Sequence, residues 1–356
     1  MKNTNYSPEN TPVVVSCCRT AIGRSDSSEG VFRKVRGDEL GAFVVKEAVA
    51  RSGVSPDHIE EVVVGVTQQR GELGGNVARS IGLLAGLPTS AAASTTNRLC
   101  GSSLQGVAQA CHSIMAGAED VHVVAGVEHM QHLPMDSEID FHPRSFSGSS
   151  RAVLSMGLTA EYLAASRGIS RRLQEEYALE SHRRATHATE TGFFKKEIIA
   201  CPGLNIDGVF TLVDRDQSIR SDTSLAAMDR LSPAFLPRIG SVTAATSAPL
   251  SDGAAAMVVM SEAAARRLGL TPLVRVVSTA VVGVSPALMG LGPVYATRKV
   301  LHRSGIDLRE IEIIELNEAF AVQVLACMNE LELSHEVVNI HGGSLAIGHP
   351  LGASGV

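Results

Sequence analysis

A pattern that occurs twice, 252 residues apart, constrains the fold of this chain more than any other feature. Arg51-Ser52-Gly53, then Ile59-Glu60 and the apolar run Val62-Val63-Val64, returns as Arg303-Ser304-Gly305, Ile311-Glu312 and Ile313-Ile314. Upstream, Thr11-Pro12-Val13-Val14-Val15 leading to Gly23 matches Thr271-Pro272-Leu273-Val274-Arg275 leading to Gly283, and the β-branched residues in both favour strands. In each copy a helical stretch, Leu40 to Arg51 and Ala296 to Arg303, closes on a glycine suited to a helix C-terminus. Apolar strands alternating with amphipathic helices predict an α/β fold. We expect two mostly parallel sheets covered by helices, with right-handed crossovers, related by a pseudo-dyad.

The same offset aligns Cys100-Gly101-Ser102-Ser103 with Gly352-Ala353-Ser354-Gly355. The first of these turns opens a predicted helix, Ser102 to Ala116, with Leu104, Val107, Ala108, Cys111 and Met115 on one face, followed by a buried strand, Val121 to Val127. By the repeat arithmetic the second copy stops short of the counterpart of residues 102 to 127. Residues 128 to 240 have no second copy and read as an inserted, more polar, substrate-facing region, with one helix, Thr159 to Thr191, broken at Gly168. The resulting division is an N-terminal half over residues 1–270, with the insertion at about 128–245, and an incomplete C-terminal half over residues 271–356.

Composition narrows the function. With 44% hydrophobic and 19% charged residues over 356 positions, the chain is globular. A net charge of -6 and the absence of a basic block argue against a nucleic-acid partner. No run of 18 apolar residues suggests a membrane span, and the polar start Met1 to Tyr6 lacks the apolar core of a signal peptide, so a cytoplasmic protein is expected. Six cysteines without a C-x-x-C pair suggest neither a disulfide scaffold nor zinc.

Chemistry concentrates at three places. Cys100 stands where a strand-like stretch meets a helix N-terminus, whose unpaired N–H groups and dipole favour a thiolate, and the glycine and serines beside it leave room for another group to approach. Ser102 and Ser103 do not complete G-x-S-x-G, because Gln105 takes the last place, which disfavours a serine hydrolase. His349 lies in the glycine-rich stretch His341 to Gly352, and since Gly352 is the repeat partner of Cys100, the pseudo-dyad brings imidazole and sulfur together. Asn317 follows the predicted strand Ile311 to Leu316, at the carboxyl end where sites on open α/β sheets gather, and there it could orient a water or a carbonyl or simply cap a helix. His129, His132, His142, His182 and His187 form no H-E-x-x-H pair and read as solvated or structural. The glycines at Arg70 to Gly75 and Gly290 to Gly292 complete neither a dinucleotide fingerprint nor a P-loop and read as turns.

Taken in order, Arg19 to Arg24, Asn97 to Ser103, Gly126 to Met130, Met156 to Glu161, Ser251 to Ala256, Asn317 to Ala321 and Gly342 to Gly355 resemble the motifs of thiolases, most closely the 3-ketoacyl-CoA thiolases of fatty-acid β-oxidation. The resemblance implies the thiolase fold: duplicated βαβαβαββ halves in a five-layered α/β/α/β/α sandwich with an inserted loop domain. It implies that Cys100 is the acyl-accepting nucleophile, that His349 activates it and then donates to an oxyanion, and that Asn317 holds the water completing that hole. Arg220 and Ser247 match positions that contact coenzyme A, although Ala245 and Ala248 stand where the family often has Gly and Ser. Coenzyme A and acyl-CoA enter as substrates, with no resident cofactor and no metal. The implied assembly is a homodimer or tetramer, working beside a hydratase-dehydrogenase partner.

The family also carries a second catalytic cysteine in a C-x-G motif, which is absent from this sequence, so the resemblance leads us to expect a C-terminally truncated chain with impaired turnover. Three rival readings stand beside the main one. They are a biosynthetic acetoacetyl-CoA thiolase, a ketoacyl-carrier-protein synthase of the same architecture, and a non-catalytic acyl-CoA-binding or scaffold protein.

Overall fold

A computed structural model describes residues 8–135, 139–146 and 150–356; the polar segment Met1 to Tyr6 lies outside them. Ten strands are present among these residues: β1 (Pro12–Thr20), β2 (Gly23–Arg24), β3 (Glu61–Gly65), β4 (Ala92–Thr96), β5 (Val121–His129), β6 (Ile198–Ile199), β7 (Cys201–Leu204), β8 (Phe210–Val213), β9 (Ser251–Ser261) and β10 (Val274–Arg275). Eight form one sheet with the central order β10-β1-β9-β5-β3-β4, while β7 and β8 pair separately. The helices are α1 (Gly37–Ser52), α2 (Val77–Leu84), α3 (Ser102–Ala116), α4 (Met156–Arg167), α5 (Arg171–Glu190), α6 (Leu225–Met228), α7 (Glu262–Arg267), α8 (Gly292–Ser304), α9 (Ala321–Leu331) and α10 (Ser344–Ile347).

Alternation along the strands builds a three-layer first half. Val13, Val15, Val121 and Val123 pack with Leu40, Val44, Val45 and Ile81 of α1 and α2 on one face. Val14, Val124 and Val259 pack with Val107, Ala110, Cys111 and Ile114 of α3 on the other. Because both faces are covered, every residue of β5 is buried. The predicted helix Ser102 to Ala116 and the strand from Val121 are both present.

The sheet is mixed rather than mostly parallel. β3 pairs parallel with β4 and β5, but β9 runs antiparallel between β1 and β5. The cause lies in the connection: after β5 ends at His129 the chain touches the sheet only at the short β6 beside β1, and β9 then begins next to the end of β5, where Asp252 pairs with His129. A strand that starts beside the place where its neighbour ended must run backwards.

The repeat holds best in the helices. α1 and α8 both end in left-handed glycines, Gly53 (φ 73°) and Gly305 (φ 73°). Gly168 (φ 64°) likewise separates α4 from α5. The expected second sheet differs. Val274–Arg275 joins the edge of the first sheet through β1, and Ile311 to Leu316 makes only an isolated bridge, Ile314 to Val338, among the described residues. An extended segment becomes a sheet strand only where neighbours take its N–H and C=O groups along its length, and that bridge supplies a single point of pairing. The C-terminal half is instead organised around α9, which buries Val322, Ala326 and Cys327 toward Leu163 of α4 and Val294 of α8, and Val324 and Met328 toward Tyr177 and Ala178 of α5. Cys327 is therefore a core thiol.

Candidate active site

The turn before α3 is held from several sides. Leu99 adopts φ 47°, a left-handed conformation that costs a residue with a Cβ. Asn97 Oδ1 accepts from the Leu99 N–H at 2.9 Å, and Ser102 Oγ accepts from the Arg98 N–H at 2.9 Å. Asn97 Nδ2 also donates to the carbonyl of Thr67 at 3.0 Å, fastening the turn to the loop after β3. Cys100 follows Leu99 and precedes the helix by two residues.

Cys100 is an exposed residue, yet desolvation at its sulfur, with the charge of Glu128 adding to it, pushes the thiol up to about 11. That direction runs against the helix start's tendency to favour the thiolate. Cys100 rests as a thiol.

His349 is positioned by its backbone and by both ring nitrogens. Its N–H donates to Ser251 Oγ at the start of β9, 3.0 Å away, and the preceding Gly348 has φ 110°, where a Cβ would sit 2.6 Å from that same oxygen. His349 Nδ1 lies 2.7 Å from Ser354 Oγ. Ser354 spends its own proton on the carbonyl of Pro350, so Nδ1 carries the hydrogen and Nε2 the lone pair. Asn317 Nδ2 approaches that lone pair at 3.3 Å, while Asn317 Oδ1 accepts from Ser344 Oγ at 2.6 Å, which fixes the sense of the amide. Burial holds the imidazole down at about 4, so it stays neutral at neutral pH and available to take a proton.

The two halves of the site meet at the end of the sheet. Gly355 N–H donates to Ser103 Oγ in the first turn of α3 at 3.0 Å. Gly352 N–H donates to Glu128 Oε2 at 2.9 Å. A Cβ on Gly126 would lie 2.3 Å from the Gly352 carbonyl, so only glycine lets this loop seat on β5. The segment carrying His349 thus rests on the end of β5 and the first turn of the helix that Cys100 introduces.

Two buried carboxylates hold these loops, and reasoning from the sequence gave neither a role. Glu318 accepts from Tyr177 Oη, Ser181 Oγ, Asn339 Nδ2 and the Leu345 N–H, joining the Asn317 loop to α5 and α10. Glu128 accepts from Thr67, Gln68 and Gly352. The available signal was an acid standing inside an otherwise apolar motif.

Of the two residues matched to coenzyme contacts, Arg220 is exposed and its backbone N–H donates to His182 Nδ1 at 3.1 Å. Its guanidinium has no ion-pair partner among the described residues. Ser247 donates to the Thr243 carbonyl at 2.8 Å and bridges to Phe320, three residues past Asn317.

His129 and His182 are buried rather than solvated. Glu72, His129 and His132 come within 4.8 Å of one another through one potential ligand atom each, but the protein already occupies those atoms. Each Nε2 lies within hydrogen-bond distance of a carbonyl oxygen, of Phe32 and Arg33 respectively. His129 Nδ1 accepts from the His132 N–H, and His132 Nδ1 meets Glu72 Oε1 at 2.9 Å. The two rings stack 3.7 Å apart, an arrangement that does not aim both lone pairs at one ion.

Comparison with known proteins gives matches over nearly the whole chain. A family profile described as thiolase, N-terminal domain, matches residues 12–263, and one described as thiolase, C-terminal domain, matches residues 270–356. The chain is 48% identical over 350 residues to a 3-ketoacyl-CoA thiolase of Pseudoalteromonas translucida (strain TAC 125), covering 97% of this chain and 90% of that one. It is 47% identical, with the same coverage, to a 3-ketoacyl-CoA thiolase of Vibrio cholerae serotype O1. Human mitochondrial 3-ketoacyl-CoA thiolase superposes with a TM-score of 0.88 at 32% identity over 98% of this chain and 90% of its own. An acetyl-CoA acetyltransferase from Bacillus anthracis gives 0.87 at 35% identity over 97% and 89%.

Proposed function

The chain belongs to the thiolase family and has its fold, and on that footing we propose that Cys100, His349 and Asn317 are the residues with which it works. It is an acyltransferase, and its reaction is that of its relatives, thiolytic cleavage of a 3-ketoacyl-CoA by coenzyme A to acetyl-CoA and a shortened acyl-CoA.

In this reading His349 Nε2 takes the Cys100 proton as the sulfur adds to the C3 carbonyl. Both groups rest neutral, so proton transfer accompanies attack rather than preceding it. The alkoxide collapses to an acyl-thioester on Cys100, the C2–C3 bond breaks, and its electron pair leaves as the enolate of acetyl-CoA. Protonation at C2 balances the proton taken from sulfur. The Nε2–H of the imidazolium and the Asn317 amide are neighbouring donors for the oxygen that bears negative charge, and donors fixed in advance are the stronger for it. The coenzyme A thiol then attacks the thioester, His349 takes its proton, and Cys100 is regenerated.

One observation carries this assignment: the lone pair of His349 Nε2 and the amide of Asn317 converge in a loop seated on the first turn of the Cys100 helix. The assay is incubation with acetoacetyl-CoA followed by intact-mass and peptide mapping. An acetyl adduct on Cys100, absent in Cys100→Ser, supports the reading. Binding without an adduct overturns it and leaves a non-catalytic acyl-CoA-binding protein.

Arg220, exposed and without an ion pair among the described residues, suits the phosphates of coenzyme A, and Ser247, bridged to Phe320, suits the part nearer the thioester. A homodimer is supported by the open edge strand β4 and by exposed Leu83, Leu84, Leu99 and Leu104 near it. No helix among the described residues is long and apolar enough to cross a membrane, and we place the chain in the cytoplasm. A 3-ketoacyl-CoA arises by oxidation of a 3-hydroxyacyl-CoA, so a hydratase-dehydrogenase is the partner that would supply it.

A further inference from the structure

The nucleophile turn and the His349 loop come from distant parts of the chain, and one side chain touches the supports of both. Glu128, the penultimate residue of β5, is wholly buried. Its Oε2 accepts from the Thr67 N–H at 3.0 Å, from Thr67 Oγ1 at 2.7 Å and from the Gly352 N–H at 2.9 Å. Its Oε1 accepts from the Gln68 N–H at 3.1 Å. Thr67 in turn offers its carbonyl to Asn97 Nδ2, and Asn97 fixes the left-handed Leu99 beside Cys100. Gly352 lies three residues beyond His349 and belongs to the same tight loop, which closes through Ser354 onto the His349 ring.

We infer that Glu128 is a positioning residue for the acyl-transfer step, a single carboxylate that sets the Cys100 turn and the His349 loop against each other. The inference rests on the assignment of Cys100 and His349 above. Its physical basis is the count and kind of partners. Three of the four donors are backbone N–H groups, a set that favours the ionised carboxylate; an amide would turn its own N–H₂ against one of them. Burial opposes that charge and raises the group above the usual carboxylate range, and the four hydrogen bonds pull the other way. The same charge acts on Cys100, where it helps to keep the sulfur protonated until a base removes the proton. A carboxylate there therefore aligns the loops, and its charge acts in the direction of the protonated sulfur.

The two effects separate in variants. Glu128→Gln keeps the volume, removes the charge and breaks part of the clamp; Glu128→Asp keeps the charge but is one methylene too short to reach both loops. For Glu128→Gln, acetyl-adduct formation on Cys100 from acetoacetyl-CoA should fall by about 10²-fold. Iodoacetamide alkylation of the same sulfur should rise at least threefold at pH 8, as the thiolate becomes easier to form. Glu128→Asp should lose acylation while keeping the wild-type alkylation profile against pH. A Glu128→Gln protein with a wild-type melting temperature and both rates unchanged overturns the inference, and so does one whose acylation falls while its alkylation profile stays put, since that pattern belongs to packing alone. If Glu128→Gln does not fold, Thr67→Val decides: it removes one of the four donors, and acylation should drop about threefold to tenfold, an unchanged rate overturning the inference. Absence of any adduct in the wild-type protein would instead strike at the assignment of Cys100 itself.

Discussion

Asn317 and His349 stand 32 residues apart in the chain and 3.3 Å apart in space, amide nitrogen to imidazole Nε2. The contact fixes which imidazole nitrogen is the base, because Ser354 takes the hydrogen on the other one. It also leaves an amide donor beside the place where that base acquires a proton.

Removing either partner should therefore slow acylation by different amounts. His349→Ala loses the base and one donor, and adduct formation from acetoacetyl-CoA should fall by about 10²- to 10⁴-fold. Asn317→Ala loses a donor and should cost about 10²- to 10³-fold. Quenched time courses read by intact mass give both rates. A His349→Ala protein acylating at the wild-type rate would remove imidazole from the mechanism.

A sulfur held up at about 11 by desolvation makes a clear statement about free Cys100. Its alkylation by iodoacetamide should climb roughly tenfold per pH unit from pH 7 to pH 10, following the thiolate fraction. A plateau by pH 8 would mean that the helix start or a cation prevails over the loss of water after all.

Much of this site was legible before any coordinates. Cys100 could be singled out from its turn-and-helix context, and His349 from an offset that makes Gly352 the partner of Cys100. That offset is realised in space, since Gly355 donates to Ser103 at a separation of 252 residues. The helices at the two Arg-Ser-Gly sites also end where the repeat requires. What did not transfer was strand pairing. Whether β9 runs parallel or antiparallel depends on where the chain returns after the insertion, which local pattern does not encode. The segment Ile311 to Leu316 has strand composition, but composition does not supply a neighbour. The desolvation that raises the Cys100 thiol was not legible, because it is a property of the assembled site. Glu128 and Glu318 went unread for the same reason: an acid in an apolar run becomes intelligible only when its four donors are seen.

Glycines at close approaches and glycines merely in helices should respond in opposite ways. Gly126→Ala drives a Cβ into backbone, 2.3 Å from the Gly352 carbonyl and 2.7 Å from Ala353 Cα, and should destabilise by about 1–3 kcal/mol while displacing the His349 loop. Gly82, inside α2, has only Val62 at 3.5 Å and a distant Leu87 in its way, and Gly82→Ala should stabilise by about 0.4–1 kcal/mol. Denaturant melts of the two variants compare them directly. Equal stabilities would show that the loop is not seated on β5 as described.

Asp252 gives a pH signature that can be isolated. Desolvation raises its carboxyl from 3.8 to about 7. Oδ1 accepts from the Gln131 N–H at 3.1 Å, but Oδ2 is buried without a partner among the described residues, and the facing His129 is held near 4 by its own burial and so is neutral. The remaining titratable neighbours, His132 and Glu72, shift the carboxyl in opposite directions. Because the folded value lies above the unfolded one, the stabilisation is complete below about pH 4 and is lost as pH rises through about 7. Asp252→Asn keeps the shape and cannot ionise. Its stability relative to wild type should grow by about 1 kcal/mol per pH unit between pH 4 and 7 and level off above. His129, His182 and His349, all lowered to about 4, contribute the opposite slope between pH 4 and 6.5. Above about pH 5 these imidazoles are neutral in both folded proteins, so the difference cancels them there. A difference independent of pH would mean that Asp252 is already ionised in the folded protein.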